Sequence, residues 1–268
     1  MSNWSINQFI HISLSFLFLV VVFLSQQLHY HSLLAIVILL VVSIPFLKES
    51  SRLLVWIIIG YIFGEFLFIY GVKFIDFLAL SSEWKVILGR CFLILYIFPL
   101  FIVIKSFRPN LKLPLNRVNY YEKIKVPFIL FGKTEQSLYF FLIVALGINI
   151  VSLTPLVIKN ASHLTVFLFI AAFIFSFVNS LLEELLWRGI LLPSMVDITG
   201  KNIAIVINSI GFGLVHLSLG FTLLPCLLFM VGGYFFGALT LRTGSIWPSF
   251  FWHFVLNLLM VLSGIIFL

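Results

Sequence analysis

Charge is what this chain has least of. Its 268 residues carry 16 Lys and Arg and 9 Asp and Glu, so only 9% are charged. A soluble domain is about a quarter charged and about half apolar. Here 62% of residues are hydrophobic, 17% are aromatic, and mean hydropathy is +1.22. That balance excludes a sizeable soluble domain and reads as a polytopic membrane protein. Cysteine is scarce too. Cys91 and Cys226 both lie in apolar runs, which excludes a disulfide framework and a cysteine metal site. There is no P-loop, no Gly-x-Ser-x-Gly elbow, no His-Glu-x-x-His helix and no Ser-His-Asp set. No internal repeat and no low-complexity tract is evident. The net charge of +7 reads as basic loops held on the cytoplasmic side, not as a nucleic-acid surface.

What is present is a series of apolar runs. A spanning helix needs roughly 20 apolar residues. Nine stretches approach that: about 8–25, 32–47, 53–71, 86–104, 137–157, 164–192, 202–219, 221–240 and 245–267. The expected fold is all-α, a transmembrane helix bundle of eight or nine spans. The count falls to eight if one segment is re-entrant or interfacial. The first stretch lacks a basic leader and a small-residue cleavage site, and reads as a retained membrane helix. The mixed segment 72–85 is expected along the surface. The one long polar stretch, 105–137, holds seven Lys and Arg against Glu122 and Glu135. The positive-inside rule places it in the cytoplasm. Counting back puts the Lys48–Arg52 loop and the N-terminus inside and the turn at 26–30 outside. This loop divides the sequence. Residues 1–136 are helices with little unusual chemistry plus the basic loop, and Arg90 reads as snorkelling from a helix end. Residues 137–268 hold the polar constellations. Gly60/Gly64 and Gly233/Gly237 have the spacing of close helix contacts.

Asn179, Ser180, Glu183, Glu184 and Arg188 form the first constellation, inside the 164–192 run. Ionisable groups in hydrocarbon need a partner, a wet cavity or a function. Glu184 and Arg188 are one helical turn apart and can pair. Glu183 points about 100° away and is left over. Asn208, Phe212 and His216 form one face of the 202–219 helix. His253 and Asn257 are one turn apart in the last span. A lone intramembrane His is commonly a hydrogen-bonded core residue, and Asn can be packing glue.

Depth decides whether the three belong together. With the basic loop inside, Glu183, His216 and His253 lie roughly 15, 20 and 12 Å from the inner ends of their helices, at ~1.5 Å per residue. They can therefore line one cavity in the C-terminal half, open toward the cytoplasm. A Glu can act as general base on water, and His or Asn can stabilise an oxyanion. Alternatively, Glu183, His216 and His253 could hold a zinc ion that acidifies water.

Glu-Glu-x-x-x-Arg at 183–188, Phe-x-x-x-His at 212–216 and His-x-x-x-Asn at 253–257 together resemble the CPBP family. This family comprises the type II CAAX prenyl proteases and the bacteriocin-processing or Abi-type membrane proteins. The resemblance covers about 167–262. It implies an intramembrane endopeptidase with Glu183 as the base that activates water and Glu184 and Arg188 in support. His216, His253 and Asn257 are implied to hold water and stabilise the oxyanion. Both metal-free and zinc-dependent mechanisms are open, and the metal-free one is preferred here because the zinc helix signature is missing. The implied substrate is a peptide or membrane-anchored protein met at the bilayer, with no nucleic acid involved. Size and Lys/Ile/Phe-rich composition point to a bacterial cell membrane, where relatives mature or resist small peptides. Two other classes compete: a non-catalytic immunity or chaperone protein, and a transporter with a Glu–His proton relay. Concentration of the polar residues in one half counts against the transporter.

Overall fold

The computed structural model describes residues 6–27 and 29–266. The first five residues, expected in the cytoplasm, lie outside the described residues. So do Leu28 of the expected 26–30 turn and the last residue of the expected 245–267 span.

The chain is helical almost throughout. Helices α1 (Ile6–Gln26), α2 (Tyr30–Ser43), α3 (Glu49–Asp76), α4 (Ser82–Cys91) and α5 (Ile94–Phe107) precede the polar stretch. Helices α6 (Leu138–Lys159), α7 (Val166–Glu184), α8 (Leu192–Thr199), α9 (Lys201–Leu214), α10 (Leu223–Thr243) and α11 (Trp247–Leu262) follow it. Among the described residues, seven helical segments are long and apolar enough to cross a membrane, and Tyr30–Phe46 and Trp247–Leu262 are shorter apolar helices. Together they occupy the nine stretches marked in the sequence. The protein is a multi-pass membrane protein built as an all-α bundle.

Local chemistry sets the ends. The hydroxyls of Ser137 and Thr165 cap α6 and α7 by accepting from the amides of Phe140 and Leu168, at 3.2 and 3.1 Å. Pro193 and Pro248 stand in the first turns of α8 and α11, where a missing N–H costs nothing. Segment 72–85 is more ordered than its composition suggests, because α3 runs on to Asp76 and α4 begins at Ser82. The polar stretch contains a hairpin of β1 (Lys123–Pro127) and β2 (Gly132–Ser137), which the sequence reading did not anticipate.

The chain divides into two compact units, each assembled from three separate stretches. Composition breaks at 136/137; compactness interleaves the two halves of the sequence.

One unit comprises Met1–Leu67, Leu95–Leu113 and Trp187–Gly237. In it α9 packs on α8 and α1. Phe18, Tyr61 and Trp187 meet ring to ring, with centroids 5.3 to 6.5 Å apart. This unit corrects the view that residues 1–104 hold little chemistry. Glu65 is 6% exposed in the middle of α3 and accepts a hydrogen bond from Tyr96. Its neighbours read as an ordinary apolar span, so nothing nearby in sequence signals its partner 31 residues away.

The other unit comprises Phe68–Ile94, Pro114–Leu186 and Ala238–Leu268. Here α7 packs against α11 and α4, and α11 also packs against α6. Ile87 of α4, Ala171, Ala172 and Phe175 of α7, and Val261 of α11 share one apolar cluster. The polar stretch is tied to the turn before α11. Ile246 N donates to the Pro114 carbonyl at 2.8 Å, and Asn116 donates to the Gly244 carbonyl at 3.2 Å. Arg242 pairs with Glu122 at 2.9 Å.

Gly64 shows how close the helices come within the first unit. A Cβ there would stand 2.8 Å from Tyr96 Cα, a backbone atom that cannot swing aside. Gly64→Val should therefore lower the apparent melting temperature of the detergent-solubilised protein by several degrees, through overpacking of about 1–3 kcal/mol. An unchanged melting curve would contradict this packing.

Candidate active site

The candidate site begins on α7. Its polar residues repeat at helical spacing, and Asn179, Ser180, Glu183 and Glu184 are all at most 5% exposed. Burial of this kind follows from position: α7 packs on both α4 and α11 and has little surface left.

His253 of α11 lies between the two carboxylates. Its Nδ1 is 3.0 Å from Glu184 Oε1, and its Nε2 is 3.5 Å from Glu183 Oε2. An ionised carboxylate only accepts, so Nδ1 carries the proton that it donates to Glu184. That fixes the ring and aims Nε2 at Glu183. The ring has one more proton-bearing position, on the side of the carboxylate that the sequence left over. Glu183 Oε2 has no hydrogen-bond partner within the protein, since 3.5 Å exceeds the usual N–H···O range.

Asn257, one turn beyond His253, donates to Ser180 Oγ at 3.0 Å. The resemblance implies that it helps hold water and stabilise the oxyanion. Here its amide N–H joins α11 to α7, below the His253 contact by one turn on each helix. Glu183, Glu184, His253 and Asn257 are thus brought together in one compact unit.

His216 and Arg188 belong to the other unit. α7 ends at Glu184 and passes into a π-helical turn, Leu185–Leu191. Such turns are rare and concentrate at functional sites. Arg188 is fully buried and donates to the Gly233 carbonyl at 3.1 Å. Its guanidinium lies 4.2 Å from the Phe212 ring centroid and 5.3 Å from that of Phe236. Asn208 donates to the Trp187 carbonyl at 2.9 Å, which satisfies a backbone group that the π turn displaces. His216 sits in a short 3-10 turn, Val215–Leu219. Its Nδ1 is 2.8 Å from the Phe212 carbonyl, and its ring stacks on Phe229 at 4.2 Å. A carbonyl accepts only, so Nδ1 is the protonated nitrogen and Nε2 keeps its lone pair in the neutral ring.

The sequence places Arg90 near a helix end, where snorkelling is expected. It is half-buried in the last turn of α4 and within electrostatic reach of Glu183. The signal was weak, because only α4 packing on α7 brings residues 90 and 183 together.

Among the described residues, no group of three or more His, Cys, Asp and Glu side chains is placed to hold a metal ion. The donor chemistry agrees. Both nitrogens of His253 already face carboxylates on opposite sides of the ring, so Glu183, Glu184 and His253 do not converge on one point. No step is derived through a metal.

Arg188→Ala should destabilise the protein by about 3 kcal/mol or more, because it removes a buried donor and the cation stacked on two rings. Arg188→Lys should recover only part, since a point charge cannot fork as a guanidinium does. Thermal unfolding in detergent measures both, and wild-type stability in Arg188→Ala would refute this role.

No curated protein and no solved structure matches the chain. Residues 165–259 match the family model described as "Type II CAAX prenyl endopeptidase Rce1-like". The match spans all three motifs, from the cap of α7 to just beyond Asn257, and supports an intramembrane peptidase. Over this C-terminal stretch the chain is similar to the Rce1-like, type II CAAX prenyl endopeptidase family.

Proposed function

We propose that the protein hydrolyses a peptide bond in a small or membrane-anchored peptide, using water activated by Glu183. The observation that carries this reading is His253 held between two buried glutamates. Glu184 fixes the ring by accepting from Nδ1. Glu183 has an oxygen without a protein hydrogen bond, as a base that must receive a proton from water requires. The step is then general-base attack. Glu183 takes a proton from water, hydroxide adds to the carbonyl carbon, and the oxygen becomes an oxyanion. Collapse breaks the C–N bond, and the proton returns to the leaving amine from Glu183 or through Nε2 of His253. Low dielectric strengthens each of these interactions. Asn257, by its bond to Ser180, holds α11 and α7 in the register that sets the His253–Glu183 distance. The resemblance assigns His216 to the same reaction. Its Nδ1 is committed to the Phe212 carbonyl, which leaves Nε2 for the work.

The basic loop favours a cytoplasmic approach for the substrate. Maturation of bacteriocin or signal peptides, or self-immunity, is the physiological role that the resemblance supplies. The competing role is a non-catalytic immunity or chaperone protein that binds such peptides.

Purified protein in liposomes, given a library of short amphipathic peptides, should yield cleavage products by mass spectrometry. Glu183→Gln and His253→Ala should each lower kcat/KM by about 100-fold or more, with folding retained. A chelator, with metal content measured alongside, tests the metal-free mechanism directly. Cleavage that survives Glu183→Gln would overturn the glutamate mechanism. No cleavage at all, with cellular immunity that survives the same substitution, would leave the binding role.

A further inference from the structure

The stripe on α7 does not end at Glu183. Ala172, Ser176, Asn179 and Glu183 follow one another at spacings of four, three and four, which is a single helix face. Ala172 is the apolar end of this face and packs with Ile87 of α4. Arg90 is one turn beyond Ile87 on α4, on the side that carries the α7 contact. The guanidinium is therefore set against the polar part of the stripe, and its electrostatic coupling to Glu183 agrees with that placement.

Three polar atoms on this face lack a hydrogen-bond partner within the protein: Ser176 Oγ, Asn179 Oδ1 and Glu183 Oε2. The residues are 0%, 5% and 5% exposed. A buried polar atom without a partner is costly and asks for an explanation. Ser176 does not even bond back to the helix, as Ser194 and Ser209 do at 2.8 and 2.5 Å. Glu183 is explained by the reaction. Asn179 and Arg90 are not.

We propose that Asn179 and Arg90 form a subsite for the main chain of the peptide substrate, beside the bond that is cut. A peptide unit offers one N–H donor and one C=O acceptor. Asn179 offers an acceptor and Arg90 offers donors only, so one amide complements the pair. The site would read backbone and not side chain, which suits an apolar substrate with few polar handles. The distance is also specific. Asn179 is one turn, about 6 Å, from Glu183 along α7. An extended peptide advances about 3.4 Å per residue. The bound amide is thus about two residues from the scissile bond. This assignment rests on the peptidase reading and deepens it.

Main-chain ester substitution tests it. In a synthetic apolar peptide of about 20 residues, long enough to span, each N–H in turn is replaced by O. Affinity is measured in liposomes on the Glu183→Gln protein, so that binding is read without turnover. One ester, about two residues from the cleavage position, should weaken binding about three- to tenfold. Adding Asn179→Ala should weaken the all-amide peptide similarly and abolish the penalty of that one ester. Arg90→Gln should weaken binding of every peptide by a comparable factor, and Arg90→Lys should restore part of it. Asn179→Ser serves if Asn179→Ala fails to fold. An ester profile that is identical with and without Asn179, or unchanged affinity in Arg90→Gln, would overturn the subsite. So would the absence of any binding. If the ester profile collapses as expected but the wild-type protein never cleaves, the subsite stands and the catalytic reading fails. If cleavage depends on Glu183 but the profile ignores Asn179, the subsite alone fails.

Discussion

The constraint on which the rest depends is the burial of two adjacent carboxylates in one membrane helix. Glu183 and Glu184 are at most 5% exposed. A charge taken out of water costs several kcal/mol unless it is paired and hydrogen-bonded. His253 supplies one group for both, with each ring nitrogen facing a different carboxylate. That single ring fixes the facing register of α11 and α7. The Asn257–Ser180 bond, one turn away on each helix, holds the same register at a second point. Two polar contacts at matched spacing define a rotation as well as a distance, which apolar packing alone does not.

The same logic explains the asymmetry between the glutamates. Glu184 is the ring's hydrogen-bond acceptor at 3.0 Å, whereas Glu183 stands off at 3.5 Å. Glu184 accepts from Nδ1 and fixes the tautomer, whereas the His253–Glu183 contact is longer than a hydrogen bond. The π turn that follows at once is a second departure from regular helix in the same dozen residues.

The first unit uses similar means for a different end. Arg188 is buried against Phe212 and Phe236 and donates to the Gly233 carbonyl. Phe212 is the hub. Its carbonyl takes the His216 proton, and its ring meets both Arg188 and His216. The Phe of Phe-x-x-x-His is therefore not filler between polar residues. Glu65 and Tyr96 form a further buried pair, on helices outside the matched segment.

Much of this was legible in the sequence because hydrocarbon leaves few choices. A run of apolar residues must be helical, since no solvent satisfies its backbone. A Glu, His or Asn inside such a run stands out by contrast. On those grounds the sequence by itself determined the all-α bundle, the nine apolar segments and the set Glu183, Glu184, His253 and Asn257. Tertiary structure decided what local spacing cannot encode. Residues 90 and 183, or 65 and 96, are far apart in sequence, and only helix packing brings each pair within reach. Asn257 could have served the imidazole or Ser180, and the approach of α11 to α7 chose Ser180. The π turn and the hairpin at 123–137 have no periodic signature, because each depends on where its hydrogen-bond partners lie and not on which residues adjoin it. The two glutamates differ by half an ångström in their distance from His253, and distances of that size exist only once the helices have met.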